Sequence, residues 1–262
     1  MTYRVPAGLI TRVNGSYNDG GTTCKFINIS MKLFTNGCSF TYGSEIIENE
    51  CPEGIGKHEQ DVFREQNVYA YRLHKKLKTT DLVNLGEGAS SNTRIVRKTL
   101  DFFIDRLNNG LPVDDYIAVV QWTGTGRFEL YEGDDHWISV FPNGVVPPQT
   151  SERMAILQQR MVEHPLNFKL EWHRQVICLS SFFNQHNIKY LFATIPEFAT
   201  DDSFELPEGY YSNSINWLGT DTRSNRVLED ARLTYRWRHP NLEGHEVIAD
   251  RMYKRLQEIY NF

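Results

Sequence analysis

Ser39 and His239 are the two residues whose surroundings suit nucleophilic chemistry. The stretch KLFTNGCSFTYG (residues 32–43) runs from a short apolar strand straight into Gly37, Cys38 and Ser39, where the chain should turn. A serine there would stand beside backbone N–H groups not yet committed to a helix, and such groups favour negative charge. Attack by a serine on a carbonyl creates an oxyanion that needs those donors, and it needs a base within hydrogen-bond reach. The best candidate base lies near the other end of the chain, in RHPNLEGHEVIADRM (residues 238–252). Pro240 disfavours helix at the residue before it, so His239 is expected in an extended segment at a helix mouth, with Asn241 as the cap. His245 falls on the same helical face as Ile248 and Met252 and reads as structural. Taken alone, Ser39 would be ordinary turn material; the histidine segment gives it a partner.

Other chemistries find less support. The four cysteines (Cys24, Cys38, Cys51, Cys178) form no CxxC, and the eight histidines form neither HExxH nor HxH, so neither a disulfide framework, a zinc site nor another metal or cofactor is expected. The turn EGDDH (residues 132–136) lacks EF-hand ligand spacing. A net charge of −5 argues against nucleic acid as the main partner, and the basic run HKKLK (residues 74–78) reads as a solvated helix face. No stretch approaches the roughly 18 apolar residues of a membrane span. The first residues lack an apolar core of signal-peptide length, so the expectation is a cytoplasmic or virion-associated protein without Sec-type secretion.

The elements that must position these residues can be read from periodicity. At 262 residues, 40% hydrophobic and 23% charged, the chain has the composition of a soluble globular protein with a substantial core. Residues 1–30 show no sustained periodicity and read as an arm or extension; the domain proper is expected over 31–262. Strands are predicted from Met31 up to the turn at Gly37, and over DLVNLG (81–86), YIAVVQWT (116–123) and IKYLFATIP (188–196), the last three as buried apolar runs. Helices are predicted over QNVYAYRLHKKLK (66–78), with Val68, Tyr71, Leu73 and Leu77 inward, and over SSNTRIVRKTLDFFIDRLNN (90–109). The second has Ser90 or Ser91 as N-cap and an inward stripe of Val96, Leu100, Phe103, Ile104 and Leu107. Further helices are expected over FKLEWHRQVICLSSFFNQHN (168–187) and about 241–260. SEIIENECPEGIGKHEQDVF (44–63) reads as a polar loop, 127–148 as a β-hairpin and 197–221 as a long loop. Strands alternating with helices predict an α/β domain with a mostly parallel sheet covered on both faces, and ligands bound at the carboxyl edge.

GCSFTYG resembles the first block of the SGNH/GDSL hydrolase family, G-D-S-x-T-x-G, with Cys38 in place of the usual Asp. NLGEGASSN (residues 84–92) is similar to the second block, whose glycine N–H helps form the oxyanion hole; Gly88 matches best and Gly86 second. HPNLEGHEVIAD resembles the C-terminal block, in which the histidine before proline is the general base. The three blocks occur in family order. MKLFTNGCSFTYG and QWTGTGRFE further resemble an SGNH-like subgroup from bacteriophages and environmental bacteria. The spacing does not fit the α/β-hydrolase elbow G-x-S-x-G, because Thr41 occupies its last position.

The resemblance implies a three-layer α/β/α sandwich with a doubly wound, flavodoxin-like sheet of five strands. It also implies a serine hydrolase for a carboxylic ester, such as an O-acetyl group on a carbohydrate. Ser39 would be the nucleophile and His239 the base; Ser39 and Gly88 N–H groups would hold the oxyanion, and no cofactor or metal is called for. Two positions depart from the pattern. Arg236 stands where the family carries the Asp that supports the histidine, leaving Asp230, Asp201 or Asp202 as candidates by loop placement, Asp230 first. Thr125 stands about where a third oxyanion donor, an Asn, is usual; Gln121, Thr123 and Asn92 are alternatives. Cys38 reads as a packed small residue. Trp122, Phe128, Tyr131, Trp137 and Phe141 would line a pocket or simply pack the hairpin, and Arg127 would meet a substrate carboxylate or a surface carboxylate. The alternative function is an SGNH fold reused as a structural or binding protein, for example a virion component, with a virion partner or a second copy of the chain.

Overall fold

Strand β3 (Tyr116–Trp122) is buried at every position, and its alternating side chains divide the core in two. In the computed structural model, which describes residues 31–133, 136–140, 156, 159–160, 163–194, 231–235 and 239–261, Tyr116, Ala118, Val120 and Trp122 enter one apolar cluster while Ile117 and Val119 enter another. This is the period-two geometry of a strand packed on both faces. β3 pairs in parallel with β1 (Lys32–Asn36) on one side and with β6 (Lys189–Thr194) on the other. β1 in turn pairs in parallel with β2 (Asp81–Asn84). The order β2-β1-β3-β6 is the leading part of a flavodoxin-like sheet. Against the five strands expected, the described residues supply four.

Each face is closed by a pair of helices. On the Trp122 side these are α5 (Asn92–Asn108), through Ile95 and Phe103, and α6 (Pro165–Gln185), through Val176, Leu179 and Phe183. On the other side α4 (Tyr69–Leu77) contributes Tyr69, Ala70 and Leu73, and α7 (Leu242–Tyr260) contributes Ala249, Met252 and Leu256. The result is the expected α/β/α sandwich, and each large side chain removed from water contributes about 1.5–3 kcal/mol. The Ser91 side chain caps α5 by accepting from Arg94 N–H, and Gly110 takes a positive φ of 67° just beyond its end. The buried face of α5 is rotated from the predicted stripe: Ile95, Thr99 and Phe103 are fully enclosed, while Ile104 is exposed. Thr99 earns its inward place by accepting from the Asn36 side chain, a contact that apolar periodicity does not register.

The segment 44–63 departs from expectation. It is largely helical, as α2 (Ile46–Glu50) and α3 (Lys57–Asn67), after a short α1 (Ser39–Tyr42). Only Ile46 in α2 and Arg64 in α3 are fully buried, and Phe63 packs partly on the core, so the apolar signal that marks a surface helix is weak here. The hairpin is present as β4 (Phe128–Gly133) paired antiparallel with β5 (His136–Val140). It is pinned to α5 by Arg97, whose guanidinium donates to both oxygens of the buried Glu129 carboxylate and lies 4.1 Å from the Trp137 ring centre. All described elements belong to the unit Met31–Phe262. The arm at 1–30, the outer part of the hairpin with Phe141, and the loop 197–221 lie outside the described residues. Among the described residues no helix is long and apolar enough to cross a membrane.

Candidate active site

Ser39 is the first residue of α1, directly beyond the carboxyl end of β1. The approach is tight. A Cβ on Gly37 would fall 2.1 Å from Thr41 Oγ1 and 2.9 Å from Gln121 Cβ, so only glycine lets the chain turn this close to β3. Thr41 Oγ1 donates to Gln121 Oε1 at 2.7 Å and lies 2.7 Å from Tyr69 OH, which ties α1 to β3 and α4 in one buried network. Burial pushes the Tyr69 phenol well above its usual range, so it stays a neutral donor. Cys38 is fully buried beside Phe40, in keeping with a packed small residue, and its Sγ lies 3.9 Å from Ser39 Oγ. Ser39 itself is 9% exposed.

His239 lies at the mouth of α7, two residues before its cap Asn241. Tyr235 N–H donates to His239 O at 2.8 Å and Asn241 N–H donates to Leu233 O at 3.0 Å, on either side of an antiparallel bridge between Thr234 and Pro240. Asn241 caps α7 by accepting from Gly244 N–H at 2.9 Å. Gly244 has no room for a side chain, since a Cβ would fall 2.2 Å from Leu233 O. The His239 ring sits edge-on to Phe40, with ring centres 5.3 Å apart, so the imidazole packs against the residue that follows Ser39. Its Nδ1 lies 2.7 Å from Glu45 Oε2. A carboxylate only accepts, so Nδ1–H is the donor and Nε2 is left as the acceptor on the opposite side of the ring. No hydrogen bond joins Ser39 Oγ to His239 among the described residues.

Glu45 is the carboxylate that the sequence reading missed. It sits two residues beyond Gly43 in a left-handed conformation, with φ of 70°, and its side chain is largely enclosed. Nothing in GSEII announces that turn, so the sequence carries no signal that would have selected Glu45. Asp230, Asp201, Asp202 and Arg236 lie outside the described residues. A second contact joins the same elements: Tyr235 OH donates to Glu50 Oε1 at 3.2 Å, and burial with the nearby carboxylate raises the Tyr235 phenol.

The Gly88 loop lies alongside α1. Glu87 N–H donates to Gly37 O at 3.2 Å, and a Cβ on Gly88 would meet only Ser44 Oγ, at 3.7 Å. Among the described residues Gly88 N–H makes no hydrogen bond, whereas Gly86 N–H is spent on Asn84 Oδ1 at 3.0 Å and Gly86 packs against Thr41. Beyond β3, the Asn92 amide is spent on the backbone, donating to Thr123 O and accepting from Thr123 N–H at 2.8 Å. Gln121 is held by Thr41, and Thr123 Oγ1 is buried with no hydrogen bond among the described residues. Thr125 lines a small cavity with Asn92, Arg127, Phe128 and Trp172. Tyr131 and Trp137 pack against each other across the hairpin, and Trp122 is enclosed in the core. His245 is fully buried as expected, accepts from Tyr69 N–H, and is pushed down to about 3 by burial. Among the described residues no group of three or more His, Cys, Asp or Glu could hold a metal ion.

The chain belongs to a family of unknown function (DUF6071), whose model matches residues 52–258. The matched span includes Gly88 and His239 but begins after Ser39 and Glu45. No curated protein matches the sequence. Among solved structures the chain is similar to an acetylxylan esterase from Geobacillus stearothermophilus, at 15% identity and a TM-score of 0.47, over 86% of this chain and 94% of that one. It is also similar to a member of the lipolytic protein G-D-S-L family from Veillonella parvula, at 11% identity and a TM-score of 0.34, over 88% and 98% of the two chains. A third is the psychrotrophic esterase EstA from Pseudoalteromonas sp., at 10% identity and a TM-score of 0.34, over 88% and 99%.

Proposed function

We propose that this protein hydrolyses a carboxylic ester with Ser39 as nucleophile and His239 as general base, supported by Glu45. The observation that carries the reading is the 2.7 Å contact between His239 Nδ1 and Glu45, made by an imidazole that packs against Phe40, the neighbour of Ser39. Glu45 fixes the tautomer, so that Nε2 accepts the proton of Ser39 Oγ during attack. The mechanism requires Ser39 Oγ and His239 Nε2 to come within hydrogen-bond reach in the substrate complex, where catalytic hydrogen bonds tighten. The tetrahedral oxyanion is held by the N–H groups of Ser39 and Gly88. Thr125 is the proposed third donor, because the Asn92 amide is already committed. His239 returns the proton to the departing alcohol; it then activates the water that clears the acyl-serine. The substrate class proposed is an O-acetylated carbohydrate or another small ester.

A fluorophosphonate probe tests this reading. Labelling of the purified protein, abolished by Ser39→Ala, is the expected result. Absence of labelling together with no turnover of short-chain aryl esters would instead leave an SGNH fold reused for structure or binding, with a virion component or a second copy as partner. Turnover removed by a chelator would point to a metal-dependent reaction.

A further inference from the structure

We infer that Arg94 is a positioning residue for the oxyanion site, holding the Gly88 loop in a conformation it would not keep alone. The inference rests on the ester hydrolase reading above. Arg94 occupies the first turn of α5, where the helix dipole disfavours a cation, and its side chain is only 12% exposed. Burial pulls its guanidinium below the usual arginine range. Stability of α5 alone gives no reason for an arginine at this place.

Its contacts supply one. Arg94 Nη1 donates to Leu85 O at 3.4 Å and to Ser90 Oγ at 3.2 Å, and Nη2 bonds the Glu87 carboxylate. These three residues are the start, middle and end of the loop 85–90. One planar fork therefore spans the segment, a task that the single ammonium of lysine cannot perform. The loop needs holding, because Ala89 is a non-glycine residue at φ of 61°, a conformation costing about 1–2 kcal/mol. Four of the loop amides are engaged: Leu85 N–H with Thr35 O, Gly86 N–H with Asn84 Oδ1, Glu87 N–H with Gly37 O, and Ser90 N–H with Glu87 O. Among the described residues the N–H groups of Gly88 and Ala89 make no hydrogen bond, and Gly88 is the one that faces Ser44 beside α1. Arg94 thus fixes the direction of the one donor that the proposed chemistry requires from this loop.

The test is steady-state kinetics on an aryl acetate, with Arg94→Gln and Arg94→Lys in the full chain, beside fluorophosphonate labelling rates and amide hydrogen exchange over 85–91. Arg94→Gln is expected to lower kcat about 10–100-fold, the cost of a donor displaced by about 1 Å. KM should stay within about twofold, and exchange over 85–91 should quicken while α5 beyond residue 95 stays protected. Arg94→Lys is expected to recover only part of kcat. Loss of activity that merely follows the folded fraction, with α5 exchange rising throughout, would show a structural role and overturn the inference, as would unchanged kcat in Arg94→Gln. If the unaltered chain neither turns over esters nor takes the probe, it is the hydrolase reading that fails, and this inference falls with it.

Discussion

Glu45 and His239 are 194 residues apart in the chain and 2.7 Å apart in space. The carboxylate comes from the loop just after the candidate nucleophile, not from the loop before the histidine, so base support and nucleophile share one short segment, Ser39 to Glu45. If Glu45 only braced the fold, its loss would appear in stability. If it orients the imidazole, Glu45→Gln should lower kcat by about 10²–10⁴ with little change in KM, as expected when a histidine loses its tautomer partner. Ester kinetics with a parallel melting curve separate the two outcomes.

Gly37 and Gly88 should respond oppositely to the same added methyl. Gly37→Ala meets Thr41 Oγ1 at 2.1 Å and Gln121 Cβ at 2.9 Å, both in a buried network, and is expected to cost about 1–3 kcal/mol. Gly88→Ala meets only Ser44 Oγ at 3.7 Å and should leave stability within about 0.5 kcal/mol. Urea unfolding midpoints check the pair; equal losses at both sites would contradict this geometry.

Thr41→Val removes the hydroxyl that bridges Gln121 and Tyr69 while keeping the shape. Two buried polar groups are then left without their partner, which should cost about 1–3 kcal/mol. Thr41→Ser retains the bridge and should recover most of that loss.

His245 gives the fold a pH dependence. Its folded-state value is pushed down to about 3 from an ordinary 6.5. The unfolded chain therefore binds a proton in that window and the folded one does not. Stability from this group is fully present above about pH 6.5 and falls as pH drops toward 3, by several kcal/mol in all. His245→Phe should flatten this part of the melting-temperature profile between pH 6.5 and 4; an unchanged slope would assign the acid sensitivity elsewhere.

The apolar runs at 116–123 and 188–196 were legible as strands because burial on both faces demands continuous hydrophobicity, which is a local property of sequence; the run at 81–86 forms β2 as well, but at the sheet edge with Asp81 exposed and the rest half-buried, not as the buried strand expected. A cap for α5 at Ser90 or Ser91, of which the structure uses Ser91, and Asn241 as the cap of α7 were legible for the same reason, since a cap acts within three residues. The helices within 44–63 were not, because they bury too few side chains to leave a periodic mark. Thr99 was missed because its inward place depends on Asn36, a residue distant in sequence.

The amino-acid sequence by itself determined the alternation of strands and helices, the glycines that the turns require, and the small set of side chains able to act as nucleophile and base. Tertiary structure alone decided that the Glu45 carboxylate meets the His239 ring and that the Gly88 loop lies against α1. Those outcomes depend on a left-handed turn at Glu45 and on where two loops cross the sheet edge. Both are long-range packing results, set by the fold as a whole, and no local pattern of residues encodes them.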